Sequence, residues 1–224
     1  MKQIPLALGP DIARSFETFV PGGNAMALAH LHSFHAGSAP VYLWGPSGSG
    51  KTHLLQALAQ KFQQQGGLVG WFGAANALPW APDERSALIV FDSCDQFDAD
   101  QQQAAFALFV DATSRGVPIA AAGSVPPVDL PLRDDLRTRL GWGHVLAIAP
   151  LSESETRAAL RREADRRGLF LSDDVMGHLL TRFTRDMKHL MRLLDRLDQF
   201  ALANKRAITV PLLKLMLAEE GDAE

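Results

Sequence analysis

The sequence predicts an α/β fold: a parallel five-stranded sheet with flanking helices, followed by a small all-helical lid. Three observations carry this. Short apolar runs alternate with helical periodicity between Val41 and Ile148, and strands alternating with helices form parallel sheets through right-handed crossovers. After Pro150 the pattern turns to helices alone. Between the first strand and its helix, Gly45-Pro46-Ser47-Gly48-Ser49-Gly50-Lys51-Thr52 fits G-x-x-x-x-G-K-[ST], a loop that requires that context.

The elements follow in chain order. Residues 1–9 contain Gln3-Ile4-Pro5-Leu6-Ala7-Leu8, which reads either as a frayed terminus or as a docking peptide, pre-extended by Pro5 and carrying apolar anchors. Residues 15–24 form a loop with two aromatics, Phe16 and Phe19, and 25–35 can be a helix ending near Gly37. Residues 41–44 read as a short buried strand. Residues 52–65 read as a helix with Leu54, Leu55, Leu58 and Phe62 on one face. A second strand spans 68–72 and a proline-containing loop 76–85. Residues 87–92 are apolar until the last, which predicts a third strand buried on both faces. A helix over 98–116 places Phe106, Phe109 and Val110 at core spacing; strands over 118–122 and 144–148 flank a loop opened by Val125-Pro126-Pro127 and a short helix over 134–140. In the lid, Ser152-x-x-Glu155 is a capping box opening a helix to about Arg167. Helices over 172–184 and 186–203 follow, the latter with Met187, Leu190, Met191, Leu194 and Leu197 on one stripe. Thr209 caps a fourth, with Pro211 in its first turn. The expected organisation is a terminal peptide (1–9), an α/β subdomain (10–149) and a helical lid (150–224).

The totals bound the function. With 224 residues, 47% hydrophobic and 21% charged, the chain suits one soluble globular unit of two lobes. A net charge of −3 does not imply non-specific DNA binding. The single cysteine, Cys94, excludes an internal disulfide and fits a reducing compartment. Met1-Lys2-Gln3-Ile4-Pro5 is too poor in apolar residues for a signal peptide, and no run approaches the ~18 apolar residues of a membrane span. The expectation is a cytoplasmic protein with no membrane association.

The chemistry gathers at the glycine-rich loop. Its glycines let successive backbone N–H groups converge on one anion, and the following helix adds the positive end of its dipole. Lys51 is placed to reach β- and γ-phosphates, and the Thr52 hydroxyl to ligate Mg²⁺. Asp92, ending an apolar strand, is the expected second holder of that metal. The next residue is Ser93, where many nucleotide hydrolases carry a second acid; serine is no base near neutral pH, so slow or absent self-hydrolysis is expected. Asp95 is close in sequence, but its geometry is not expected to suit that role. Cys94 reads as merely buried. Arg137 and Arg139 form either a surface ion-pair face or a cation offered to a neighbour's nucleotide. The five arginines from Arg157 to Arg167, interleaved with Glu155, Glu163 and Asp165, read as a solvated helix face.

The phosphate loop followed by His53-Leu54, the strand ending in Asp92, Val125-Pro126-Pro127, Arg137-Thr138-Arg139-Leu140-Gly141-Trp142-Gly143 and the helical tail together resemble the DnaA-related AAA+ family over nearly the whole chain. The likeness leaves no counterpart here for DnaA's N-terminal domain or its C-terminal DNA-binding domain, and Gln3-Ile4-Pro5-Leu6-Ala7-Leu8 looks like a sliding-clamp-binding peptide. That combination resembles the branch of the family that inactivates DnaA. It implies ADP or ATP with Mg on residues Gly45 to Thr52, helped by His53, with Phe19, Val20 and Pro21 against the adenine. It implies Gln3, Ile4, Leu6 and Leu8 in the pocket of the replication sliding clamp, the β subunit of DNA polymerase III, with DNA met mainly through the clamp. Arg139, aligned with the family's box VII arginine, becomes a finger acting in trans on ATP held by DnaA. Three departures stand out. Ser93 replaces an Asp or Asn, and Ser124-Val125 replace the Asp-Arg of sensor 1. Lys188 stands for the sensor 2 arginine, keeping charge but losing the bidentate fork. All three weaken self-hydrolysis. The exposed apolar terminus could also pack against a second copy, giving a homodimer or multimer. The competing expectations are a self-sufficient AAA+ ATPase of helicase-loader type and a pure binding module with a degenerate nucleotide site.

Overall fold

The computed structural model describes residues 14–182 and 187–221. The described residues divide into two compact units that meet in sequence between Pro150 and Leu151. Gln3, Ile4, Leu6 and Leu8 lie outside the described residues.

The first unit runs α1 (Ala25–Ser33), β1 (Val41–Trp44), α2 (Lys51–Gln64), β2 (Leu68–Gly73), β3 (Ser86–Asp92), α3 (Ala99–Ser114), β4 (Ile119–Gly123), α4 (Asp134–Leu140) and β5 (His144–Ala147). The five strands form one sheet in the order β2-β3-β4-β1-β5, parallel at every pairing. Side chains alternate across a strand, and here the alternation builds two cores. Val41, Leu43, Leu88 and Val90 face one layer with Leu31, Leu54, Leu58 and Phe62 of α1 and α2. Tyr42, Ile89 and Phe91 face the other, with Phe109 of α3 and Leu136 of α4. Because β1 lies between β4 and β5, Val41 pairs with both Ala120 and His144. The carboxyl ends of β1, β3 and β4 therefore converge, which is where open α/β sheets bind ligands.

Helix α3 opens on a capping box: the Gln101 N–H donates to Asp98 Oδ1 (2.8 Å) and the Asp98 N–H to Gln101 Oε1 (3.2 Å). Its buried stripe differs from the one expected. Ala105, Leu108, Phe109 and Ala112 are buried, Phe106 is only half-buried and Val110 is 40% exposed. The 3.6-residue period runs through small alanines that let the helix approach the sheet, and a ranking by side-chain size passes over them.

The second unit contains α5 (Glu153–Arg166), α6 (Asp173–Arg182), α7 (Met187–Asn204) and α8 (Val210–Gly221). Ser152 and Glu155 form the expected capping box. Leu160, Val175, Met176, Leu179, Leu194 and Leu213 make its core. On α7, Leu193 joins the buried stripe while Met191 packs at its margin. The arginine-rich α5 presents a charged, solvated face, with Arg161, Arg162 and Arg166 exposed. Arg167, its side chain 15% exposed, donates to Glu163 at 2.6 Å and also to Asp195 of α7. Arg161 bridges to Asp173 at 2.7 Å. Among the described residues, no helix is long and apolar enough to cross a membrane.

On α1, the His30 ring lies tilted against His144 with centroids 4.3 Å apart, and its Nε2 is buried with no partner among the described residues. Burial, and secondarily the neighbouring His144, hold the His30 pKa below its ordinary 6.5. His53 is held low chiefly by burial as well. Both bind protons more readily in the unfolded chain, so the stability they contribute is complete above pH 6.5 and lost as the pH falls below it. Melting temperature should therefore fall between about pH 7.5 and about pH 5, and His30→Gln should flatten part of that slope. An unchanged pH profile in the variant would remove His30 from the account.

Candidate functional site

The glycine-rich loop is located by backbone contacts. At Gly45, a Cβ would lie 2.2 Å from the Ile148 carbonyl oxygen, and the Ile148 N–H donates to Trp44 O at 2.7 Å. At Gly50, whose φ is 101°, a Cβ would meet the Phe19 ring at 2.8 Å. The loop then enters α2, whose first-turn N–H groups and dipole present a positive end. Lys51 Nζ donates to the carbonyls of Gly45 (2.7 Å) and Pro46 (2.9 Å). Burial pulls the Lys51 pKa down, and the nearby Asp95 and Asp92 oppose it. The Ser49 Oγ is buried inside the same loop without a hydrogen-bond partner among the described residues.

Thr52, the next residue of α2, donates its hydroxyl to Asp92 Oδ2 (3.0 Å) and Oδ1 (3.2 Å) at the end of β3. Burial raises the Asp92 pKa, while the Thr52 hydrogen bond and Lys51 offset part of that. Loop, ammonium, hydroxyl and carboxylate thus meet at one point. The donor set suits a hard divalent cation that takes one carboxylate and a hydroxyl and keeps its other positions for water or phosphate. Among the described residues, no group of three or more His, Cys, Asp or Glu gathers as a self-sufficient metal site.

Beside this point, Ser93 adopts a left-handed backbone, φ 58°. The turn it makes leads into a short 3₁₀ segment, Cys94–Gln96, that buries the Cys94 thiol completely and raises its pKa by desolvation. Asp95 is fixed by β4: Ser124 donates its N–H to Oδ1 (3.0 Å) and its hydroxyl to Oδ2 (2.9 Å). At Gly123 a Cβ would sit 2.0 Å from the Tyr42 hydroxyl oxygen and 3.2 Å from Asp95 Oδ1, so glycine is required for this close packing. Tyr42 in turn donates to Val125 O at 3.0 Å. Ser124 is therefore the anchor of Asp95. Sequence reasoning missed this pair because it joins the ends of two strands across 29 residues.

The segment before α1 is packed on the loop. Phe16 and Phe19, each 7% exposed, belong to the core. His53 Nε2 contacts Ser15 O (2.9 Å) and Thr18 Oγ1 (3.2 Å), and its ring meets Phe19 edge-on at 5.4 Å. His53 is thus a latch that ties this segment to α2. Val20 and Pro21 remain half-exposed. Asn24, 5% exposed, closes the unit: it donates Nδ2–H to Ala149 O (2.9 Å) and accepts the Ala149 N–H (2.8 Å). No motif announced this clamp.

The arginines of the α4 region have different partners. Arg133 pairs with Asp135 (2.8 Å) and contacts Gln103, and Arg137 pairs with Asp134 (2.7 Å). Arg139 has no carboxylate partner among the described residues. Its guanidinium lies over the Trp142 ring at 4.6 Å and near the Phe106 ring at 5.9 Å, and the residue is half-exposed. Lys188 falls in the first turn of α7, and its side chain lies outside the described residues.

A parallel five-stranded sheet with flanking helices, a phosphate-type loop after the interior strand β1 and a helical lid define an AAA+ module. The comparisons agree. Residues 153–217 match the family described as Hda, lid domain, and residues 11–67 the bacterial DnaA ATPase domain. Domain III of the replication initiation protein DnaA from Thermotoga maritima has a TM-score of 0.79 at 19% identity, with 94% of this chain and 98% of that one covered. AMPPCP-bound DnaA from Aquifex aeolicus has a TM-score of 0.69 at 21% identity, with 84% of this chain and 66% of that one covered. A RuvB mutant from Thermotoga maritima has a TM-score of 0.67 at 16% identity, covering 92% and 72%. At such identities the solved structures establish the fold. The lid region thus matches the Hda family and the loop-bearing region the DnaA ATPase family, consistent with an Hda/DnaA-related AAA+ protein.

Two stability measurements test the site's framework. Asn24→Ala removes both hydrogen bonds to the Ala149 backbone and should lower unfolding free energy by about 1–3 kcal/mol in denaturant titration. Ser93→Gly removes the Cβ from a left-handed position and should raise it by up to about 1 kcal/mol. A loss on Ser93→Gly would mean that the serine side chain contributes more than its backbone costs.

Proposed function

We propose that this chain is a nucleotide-bound regulator of replication initiation that stimulates hydrolysis of ATP held by DnaA, while docked through its N-terminal peptide on the DNA-loaded sliding clamp. In this reading, Gly45, Pro46, Ser47, Gly48, Ser49 and Gly50 cradle the phosphates of ADP or ATP. Lys51 exchanges two loop carbonyls for phosphate oxygens. Thr52 and Asp92 hold Mg, whose contribution when bound is to neutralise phosphate charge. Val20 and Pro21, half-exposed, lie against the base, with Phe19 and His53 supporting them from behind. Gln3, Ile4, Leu6 and Leu8 supply the clamp contact, with DNA approached mainly through the clamp. The chain works in the cytoplasm, alone or as a multimer.

The observation that carries this reading is the environment of Arg139. Its neighbours Arg133 and Arg137 are neutralised by their own carboxylates, whereas Arg139 rests on aromatic rings at a half-exposed position. An arginine delivered in trans is worth about 10³–10⁵ in phosphoryl-transfer rate. The chain's own site has Ser93 where a second acid would stand, which supports action on a neighbour's nucleotide. A second reading, a self-sufficient ATPase of helicase-loader type, draws on Asp95, whose carboxylate acts on both Lys51 and Asp92.

A reconstituted assay with ATP-DnaA, clamp and DNA should show accelerated hydrolysis that Arg139→Ala reduces by about 10³-fold or to baseline. Lys51→Ala should abolish nucleotide binding in equilibrium dialysis. Full acceleration by Arg139→Ala would overturn the role of that arginine. Steady turnover by the purified chain, lost in Lys51→Ala, would favour the second reading. Replacing Gln3 and Leu8 by alanine should abolish clamp association in surface plasmon resonance with thermal melting unchanged, and persistent binding would remove the peptide's role.

A further inference from the structure

We propose that Trp142 is the positioning residue of Arg139: its indole is a fixed shelf that holds the guanidinium in the direction from which it is delivered. This rests on the reading of Arg139 given above.

The shelf is built from the backbone outward. Arg139 lies in the last turn of α4, and the Trp142 N–H donates to the Arg139 carbonyl at 3.1 Å, so one turn carries both residues. The preceding Gly141 N–H donates to Arg137 O at 3.2 Å. On the far side, Gly143 lies against Pro40, where a Cβ would sit 1.9 Å from the Pro40 carbonyl oxygen. That same carbonyl accepts the His144 N–H at 2.8 Å, and His144 begins β5, paired to β1. The backbone that carries the indole is thereby tied at one end to α4 and at the other to the sheet. Trp142 is nonetheless 62% exposed, so the ring contributes little to the core.

An arginine that crosses an interface has several rotatable bonds to freeze, and stacking on an aromatic face freezes them beforehand. The indole face offers a cation its strongest aromatic site, and the guanidinium sits within the ~6 Å at which that attraction operates. A carboxylate would hold Arg139 as well, but it would cancel the charge to be delivered. A ring leaves the charge available. Phe106, further from the guanidinium at 5.9 Å, closes the shelf from α3.

The test has two readouts. In the free chain, isotope-labelled Arg139 should show ring-current-shifted side-chain resonances that Trp142→Ala removes and Trp142→Phe largely keeps. In the ATP-DnaA assay, Trp142→Ala should lower the maximal acceleration about three- to thirtyfold, with the half-saturating concentration unchanged, and Trp142→Phe should restore most of it. Absence of the ring-current shift in the wild type overturns the proposal. A raised half-saturating concentration with full maximal rate makes Trp142 a docking contact and also overturns it. If Arg139→Ala abolishes acceleration while Trp142→Ala is fully active, the proposal fails and the role of Arg139 stands. If Arg139→Ala is fully active, both fail.

Discussion

The Ile148 carbonyl rests on the α-carbon of Gly45, and the site depends on that approach. A Cβ at residue 45 would have to occupy space 2.2 Å from that oxygen. The contact sets the height at which the chain leaves β1 for the loop, because Ile148 is held in turn by its own N–H on Trp44. The next residue, Ala149, is the one that Asn24 grips with both ends of its amide. A shift at Gly45 would therefore pass to the end of β5 and to the segment before α1. The phosphate-type loop is positioned by main chain on main chain, which adjusts less than side-chain packing does.

Around that scaffold the charges are arranged unequally. Lys51, Asp92 and Asp95 share one partly desolvated region, and each perturbs another. Thr52 and Ser124 spend their hydroxyls on the two carboxylates. Away from the loop, Arg133, Arg137, Arg161, Arg166 and Arg167 end on carboxylates of their own unit. Surface pairs of this kind contribute little stability, but they do remove free cations from the surface. Arg139 stands out against this background because aromatic rings leave its charge uncancelled.

Much of this was legible in the sequence because it is local or periodic. The phosphate-loop spacing, the apolar strand ending in Asp92 and the Ser152–Glu155 box are patterns with one physical reading, and all three fall where expected. The buried stripe of α3 was misjudged because Ala105 and Ala112 pack as tightly as Phe109 but weigh less on any scale of hydrophobicity. His53 belonged to the motif by sequence, yet its ring is occupied by Ser15 and Thr18. The Asp95–Ser124 pair, the Asn24 clamp and the Trp142 shelf could not be foreseen. The first two join positions 29 and 125 apart in the chain, and the third depends on which rotamer an arginine adopts.

The placement of β1 also governs when the unit can form. Its two hydrogen-bonded neighbours, β4 and β5, are among the last strands of the unit to be synthesised. The Asn24 clamp waits still longer, for Ala149. A chain emerging from the ribosome has α1, β1 and α2 available long before β1 has a partner on either side. Such distant pairings fold slowly and leave apolar strands uncovered meanwhile. The nascent unit is therefore a natural client for chaperones until about residue 150 has emerged, whereas the helical lid that follows is built from near neighbours and can collapse as soon as it is made.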